Sequence, residues 1–420
     1  MKMHHSEITR SFPDDVLPCG ILQWLLFIFI IGAMTLSYVE VFAKIMVLYG
    51  TVFAFLFIIY FLYCRLKLQP EILVYFGWVI WSLGGALNAI DRTLYMEEFR
   101  GIFHVAVLIL IVAGITARYQ TMSLTMSAIF VSGVILIGQM LYTGELQRSS
   151  DYGAHYGAAG ITGNANEFAY VNLFVMFAIV YLWKIKPSLR WRVVLLIVSI
   201  MSFICIIYSG SRKGFLGLLA FIFLWWVFCQ GKRLAKHPIK AYIVLLILLG
   251  GIYYFADYVI SSTYLGNRLE QIEDTGNQKR VQMYKEGFNI IKNNPIFGIG
   301  LDNYRVLSSF DTYSHSDYIE VAASTGIVGF LLYFSIYIIL WRRLNRIKAI
   351  TKDPHLLYII GLLKAAIITI LLVAFGRPNI ISKLTWIFVA CAIGYSWALE
   401  RTLSISMLQH KKYFGKNRTI

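Results

Sequence analysis

The sequence predicts an all-α, polytopic membrane protein: about 12 transmembrane helices, with a large, partly helical outer loop late in the chain. Three observations carry that expectation. Of 420 residues, 58% are hydrophobic and only 14% charged, more apolar surface than a water-soluble domain hides. Runs of spanning length recur twelve times, and a helix crossing about 30 Å of hydrocarbon needs about 20 apolar residues. Lys and Arg gather in alternate connections, as short cytoplasmic loops require.

The first five runs, near 20–38, 41–63, 72–90, 102–117 and 121–143, carry little readable chemistry. The connection Asp91 to Gly101 mixes charge signs, as a solvated interfacial loop does. Further runs fall near 167–183, 193–209, 214–229 and 242–260, then 326–341, 358–375 and 384–399. Lys44 and Lys364 lie within runs and have stems long enough to snorkel to an interface. The chain thus divides into nine spans over residues 1–260, an outer loop over 261–325, and three spans with a basic tail over 326–420.

With both termini cytoplasmic, the inner segments hold 23 basic residues against 6 acidic ones, while the outer segments hold 13 against 16. The net charge of +16 is therefore a topology signal. A nucleic-acid-binding face needs a basic patch with exposed aromatics on a soluble surface, which this distribution excludes. The polar first 19 residues contain acids and prolines and lead straight into a full-length run, so no cleavable signal is expected. The five cysteines sit in runs or at their cytoplasmic ends, without C-x-x-C spacing, so no outer disulfide or thiolate metal site is expected.

Three outer segments hold polar residues of interest. The loop 144–166 is rich in Gly, Ser and Ala and contains His155; Asn166, before Glu167, reads as the cap of the sixth helix or as a ligand contact there. The short turn Ser209 to Gly214 pins Arg212 and Lys213 at the outer surface, where they either meet a lipid phosphate or stop the helices from sliding. The interval 261–325 far exceeds the roughly 12 to 15 residues of an ordinary structureless connection, so it reads as a small extra-membrane unit.

Within that unit, Val281, Tyr284, Phe288 and Ile291 recur at 3, 4 and 3, predicting a helix with one apolar stripe and with Arg280, Lys285 and Lys292 off it. Asn293-Asn-Pro295 ends the helix, and Gly298-Ile-Gly300 makes a tight turn without a nucleotide fingerprint. A second helix is expected from Ser314 or Ser316, its first turns carrying Asp317 and Glu320. His315 then stands at a helix start, as a solvated residue or as a general base with an ordinary pKa of about 6.5. Asp317 or Glu320 either orients it or is itself the base.

In order, the Gly163-Asn-Ala-Asn166 turn, Gly210-Ser-Arg-Lys-Gly214, Arg280 with Met283, Tyr284 and Gly287, Pro295 with Gly298 and Gly300, and His315 with Glu320, Gly326 and Gly329 resemble the O-antigen polymerase and O-antigen ligase superfamily. These are bacterial membrane glycosyltransferases. The resemblance implies a glycan donor on undecaprenyl diphosphate at the periplasmic side of the inner membrane, transferred to an acceptor sugar hydroxyl without cofactor, nucleotide sugar or metal. It implies as partners the lipid-linked donor, a glycan or lipid-linked glycan acceptor, membrane lipids and a chain-length regulator. Its catalytic residues would be His315 as base and Arg280 and Arg212 on the departing diphosphate. Lys213, Tyr284, Arg305, Asn166, Asp317 and Glu320 would meet substrate. Ser316, where the ligase pattern commonly has Asn, and Ala165, in place of Pro, favour a polymerase; a ligase is the alternative. A lipid or polysaccharide transporter is more remote, since no internal repeat is visible and the charges cluster at the outer boundary.

The alternation of basic loops predicts that reporters fused at Asn277 and at the C-terminus lie on opposite sides of the membrane. Finding both on one side would end this topology.

Overall fold

The computed structural model describes residues 20–119, 122–144, 147–149, 155–186, 188–236 and 276–416. The regular structure among the described residues is helical apart from two three-residue strands. In order it runs α1 (Ile21–Thr35), α2 (Glu40–Tyr63), α3 (Pro70–Ser82), α4 (Arg92–Tyr119), α5 (Met122–Thr143), strands β1 (Gln147–Ser149) and β2 (His155–Gly157), α6 (Ala165–Ile185), α7 (Leu189–Tyr208), α8 (Arg212–Lys236), α9 (Gly276–Asn293), α10 (Tyr304–Leu307), α11 (Asp317–Ile350), α12 (Pro354–Ala374) and α13 (Lys383–Lys416). β1 and β2 pair antiparallel inside the connection expected to be a plain loop.

Among the described residues, ten helices are long and apolar enough to cross a membrane. The expected ninth run lies outside the described residues, as do residues 261–275 of the expected loop and residues 1–19. The expected twelfth run falls in α13, which is not one of the ten and packs against α4 and α11. Many exposed Val, Ile, Leu and Phe side chains cover the outside of the bundle, α2 above all, as a lipid-facing surface does.

Two lysines within runs behave differently. Lys44 is exposed and pairs with Glu40, 3.2 Å away. Lys364 is buried rather than snorkelling: its Nζ donates to Asn345 Oδ1 and stands 4.8 Å from the centre of the Trp341 ring. Two neighbours on α11 satisfy the amine, so its stem has no need to reach the interface.

The polar unit is fastened to the bundle by its backbone. α11 breaks at Gly326 (φ 70°, ψ −177°), where the unit ends and the spanning part of the helix begins. The turn after α9 lies along this break: Ile299 N–H donates to Ala323 O (2.9 Å), Gly300 N–H to Ser324 O (3.1 Å) and Ile327 N–H to Pro295 O (2.8 Å). Trp81 of α3 reaches the same break and donates to Thr325 O at 3.1 Å. Pro295, Gly298, Gly300 and Gly326 are thus one seam. A Cβ on Gly326 would run into the Ile296 carbonyl oxygen, and the positive φ disfavours any L side chain.

Of the interfacial loop expected over Asp91 to Gly101, all but Asp91 is helical and belongs to α4, while Asn88 and Asp91 join the same seam. Asp91 N–H donates to Asn303 Oδ1 (2.8 Å), Asn303 Nδ2 donates to Asp91 O (3.1 Å), and Asn88 Nδ2 donates to Gly298 O (2.9 Å). Asp91 also caps α4 through the N–H groups of Thr93 and Leu94. α9 itself packs one residue off the expected stripe. Val281 and Phe288 are 52% and 64% exposed, while Met283 is buried and Gly287 sits so close to Ile319 that a Cβ would collide with it.

Gly326→Ala should lower the thermal midpoint of the purified protein, at a cost of about 1 to 3 kcal/mol for forcing a side chain into this backbone region. Gly138→Ala, whose Cβ meets nothing within 4 Å, should leave it in place.

Candidate functional site

At one end of the bundle the outer-loop helices meet the turn between α12 and α13, residues 375–382. This turn, which sequence reasoning passed over, is the point where the expected site residues converge. Tyr284 of α9 donates to Phe375 O at 2.8 Å. The stem of Lys213, at the start of α8, lies across Gly376, so that a Cβ there would stand 2.9 Å from Cδ and Cε. Asn379 N–H donates to Asp317 Oδ1 at 2.7 Å.

Asp317 and Glu320 sit in the first turn of α11 and are 1% and 4% exposed. Neither carboxylate is presented to a ligand. The second oxygen of Asp317 accepts from Tyr333 Oη at 3.1 Å, and Glu320 Oε2 accepts from the backbone N–H of Ser314 at 2.8 Å. Ser314 Oγ in turn donates to Ser316 O at 3.0 Å. Ser316 is the N-terminal flanking residue of α11. The turn Ser314-His315-Ser316 is thereby closed around His315, whose φ is 58°. A non-glycine residue in that region needs such surrounding support.

The imidazole of His315 is half-buried and stands edge-on to Tyr313, ring centres 4.4 Å apart. Burial first, and then the positive charges of Lys213 and Arg280, hold its pKa down to about 4. The ordinary value of about 6.5 expected from the sequence is therefore corrected. A neutral imidazole beside two cations stays neutral well below pH 6. Lys213 comes from the α8 turn and Arg280 from α9, so cations on two distant segments act on one histidine. Arg212 precedes Lys213 and opens α8.

Asn166 does not cap its helix. Asn164 does, its Oδ1 accepting from the N–H groups of Asn166 (2.9 Å) and Glu167 (3.3 Å), because a cap must precede the first helical residue. Asn166 Oδ1 instead accepts from Ser211 Oγ at 2.8 Å, tying the 163–166 turn to the Arg212 turn. Arg305 turns back on Asp302, its Nη2 2.7 Å from Oδ1, and is a partner of that loop.

A further cation, Arg377, was missed. It pairs with Glu167, lies 3.9 Å above the centre of the Tyr170 ring, and borders a cavity of about 330 Å³ that Tyr38 and Lys383 also line. Its signal in the sequence was slight: an Arg in a short outer connection, against the positive-inside trend.

Fold and site define a multi-pass membrane protein with a cationic, histidine-bearing centre built at one end of its helices. Residues 197–334 match the family model described as O-antigen ligase, which supports membership of the O-antigen ligase and polymerase superfamily. The matched stretch contains Arg212, Lys213, Arg280, His315, Asp317 and Glu320; Asn166 and the 375–382 turn lie outside it. The match supports an O-antigen ligase or polymerase type of activity, that of a glycosyltransferase-like enzyme. A comparison with curated proteins found no match.

Lys213→Met removes one of the two charges that depress the imidazole, so the pKa of His315 should rise from about 4 toward its ordinary value. The pH dependence of His315 modification by diethyl pyrocarbonate checks this; an unchanged midpoint would place Lys213 too far away to matter.

Proposed function

We propose that the protein transfers a glycan from a polyprenyl diphosphate, undecaprenyl diphosphate in bacteria, to a sugar hydroxyl at the outer face of the inner membrane. The observation that carries this reading is the convergence of Lys213, Arg280 and His315, from separate segments, beside the Phe375 to Asn379 turn. The acceptor oxygen attacks the anomeric carbon, the bond from that carbon to the diphosphate oxygen breaks, and the hydroxyl proton passes to the imidazole of His315. Arg280, Arg212 and Lys213 hold the departing diphosphate, where the charge that develops is largest. Guanidinium groups suit that task because they stay charged and grip two oxygens at once. Tyr284 positions α9, and Asp317 and Glu320 position the histidine turn; none of the three is the base.

The cations that hold the anion are the ones that depress the imidazole. A bound diphosphate offsets them, so His315 becomes a stronger base only when the donor is present. In this reading the substrate completes the catalyst.

Of the two superfamily activities, Ser316 after the histidine and Ala165 in the asparagine turn favour polymerisation. Ligation is the second reading, favoured by the description of the matched family. Surface polysaccharide from a strain lacking the protein separates them. Single repeat units on the core follow from loss of a polymerase, and long chains left on the lipid diphosphate from loss of a ligase.

His315→Ala should bind lipid diphosphate nearly as well as the parent yet turn over slower by roughly 10² to 10⁴, the usual worth of a general base. Arg280→Lys should lose most transfer while keeping its charge. In the parent, the acidic limb of kcat/KM, set by the free enzyme, should fall near pH 4, and that of kcat should lie higher, because the bound anion favours the imidazolium. Donor affinity lost in step with rate in His315→Ala would make His315 a phosphate ligand instead.

A further inference from the structure

A second charged site lies at the other end of the bundle. α4 begins beside Asp91 at the His315 end, and its Arg92–Arg118 stretch of 27 residues places Arg118 roughly 40 Å away along the helix axis. There a cavity of about 540 Å³ opens between the connection after α2, the end of α4 and the later part of α13. Four cations line it: Arg65, Lys67, Arg118 and Arg401. Among the described residues, no acidic one does. Leu66 and Trp397 add apolar wall.

The positive-inside tendency accounts for basic residues on one face. It does not account for four of them, from three segments distant in sequence, around a single cavity. A basic pocket between spanning helices at the inner boundary, part polar and part apolar, matches the phosphate and glycerol of an anionic lipid. Three guanidiniums add two-pronged phosphate contacts.

We propose that this cavity holds the headgroup of an anionic phospholipid from the leaflet at that face, a two-phosphate headgroup fitting four cations best. The site is independent of the His315 chemistry.

The test uses the purified full chain in a zwitterionic detergent with cardiolipin, phosphatidylcholine or inorganic diphosphate added, read by native mass spectrometry and by thermal unfolding. Cardiolipin should stay bound and raise the midpoint, and neither phosphatidylcholine nor inorganic diphosphate should do so at the same concentration. Lys67→Gln with Arg401→Gln should weaken cardiolipin about 30-fold, the worth of two interfacial cations, while Arg401→Lys with Lys67 intact keeps most of the affinity. The two remaining cations leave the double variant enough charge to insert correctly, and its lipid-free midpoint checks that it folds. Unaltered cardiolipin binding in the double variant, or no cardiolipin binding by the parent, would overturn the proposal. An equal response to inorganic diphosphate would overturn the lipid assignment in favour of a free-anion site.

Discussion

The carboxylate of Asp317 is the interaction on which the site depends. A buried carboxylate is costly unless every oxygen finds a donor, and Asp317 finds them on two different spans: the Asn379 N–H on the turn before α13, and the Tyr333 hydroxyl two turns past the break in α11. These contacts fix the start of α11 against the turn 375–382. His315, two residues upstream, is fixed with it. So is the far side of the turn, because Asn379 also accepts from Tyr170 Oη at 3.0 Å and Thr385 Oγ1 at 3.1 Å, while its carbonyl accepts from Trp386 Nε1. Loss of Asp317 would release a helix start, a turn and a spanning tyrosine together.

Around that anchor the electrostatics are lopsided. The carboxylates nearest His315 are held by the backbone N–H groups of Asn379 and Ser314 and by the Tyr333 hydroxyl, and the charges that its imidazole feels, after burial, are those of Lys213 and Arg280. Such a centre favours an anion and resists a proton. It keeps the imidazole neutral, and a carboxylate in hydrogen-bond contact with the ring would have worked against that by stabilising the charged form.

Much of this was legible in the residues. Length and apolarity located the ten candidate spans among the described residues, because a bilayer imposes both; Pro295 marked the end of α9, because it cannot continue a helix, and α11 starts after Ser316, one of the two expected serines. The roles of Asp317, Glu320 and Asn166 were not legible, since which donor a carboxylate or amide meets depends on segments distant in sequence. The packed face of α9 was misjudged for a related reason: Val281 and Phe288 satisfy helical periodicity, but Gly287 permits the closest approach, and a glycine contributes nothing to an apolar stripe. Arg377 sits in a connection too short to advertise itself, and only its meeting with Glu167 and Tyr170 gives it weight.

The seam at Gly326 has a consequence for how such a chain can diverge. The polar unit holds the bundle largely through main-chain donors and acceptors of residues 295–300 and 323–327, which hardly depend on the side chain. Side chains elsewhere on the unit, such as the exposed Ser309, Asp311 and Tyr313 between α10 and α11, are therefore relieved of the task of attachment. They can be exchanged while the glycines keep the unit seated, so that surface chemistry and architecture are able to change on separate schedules.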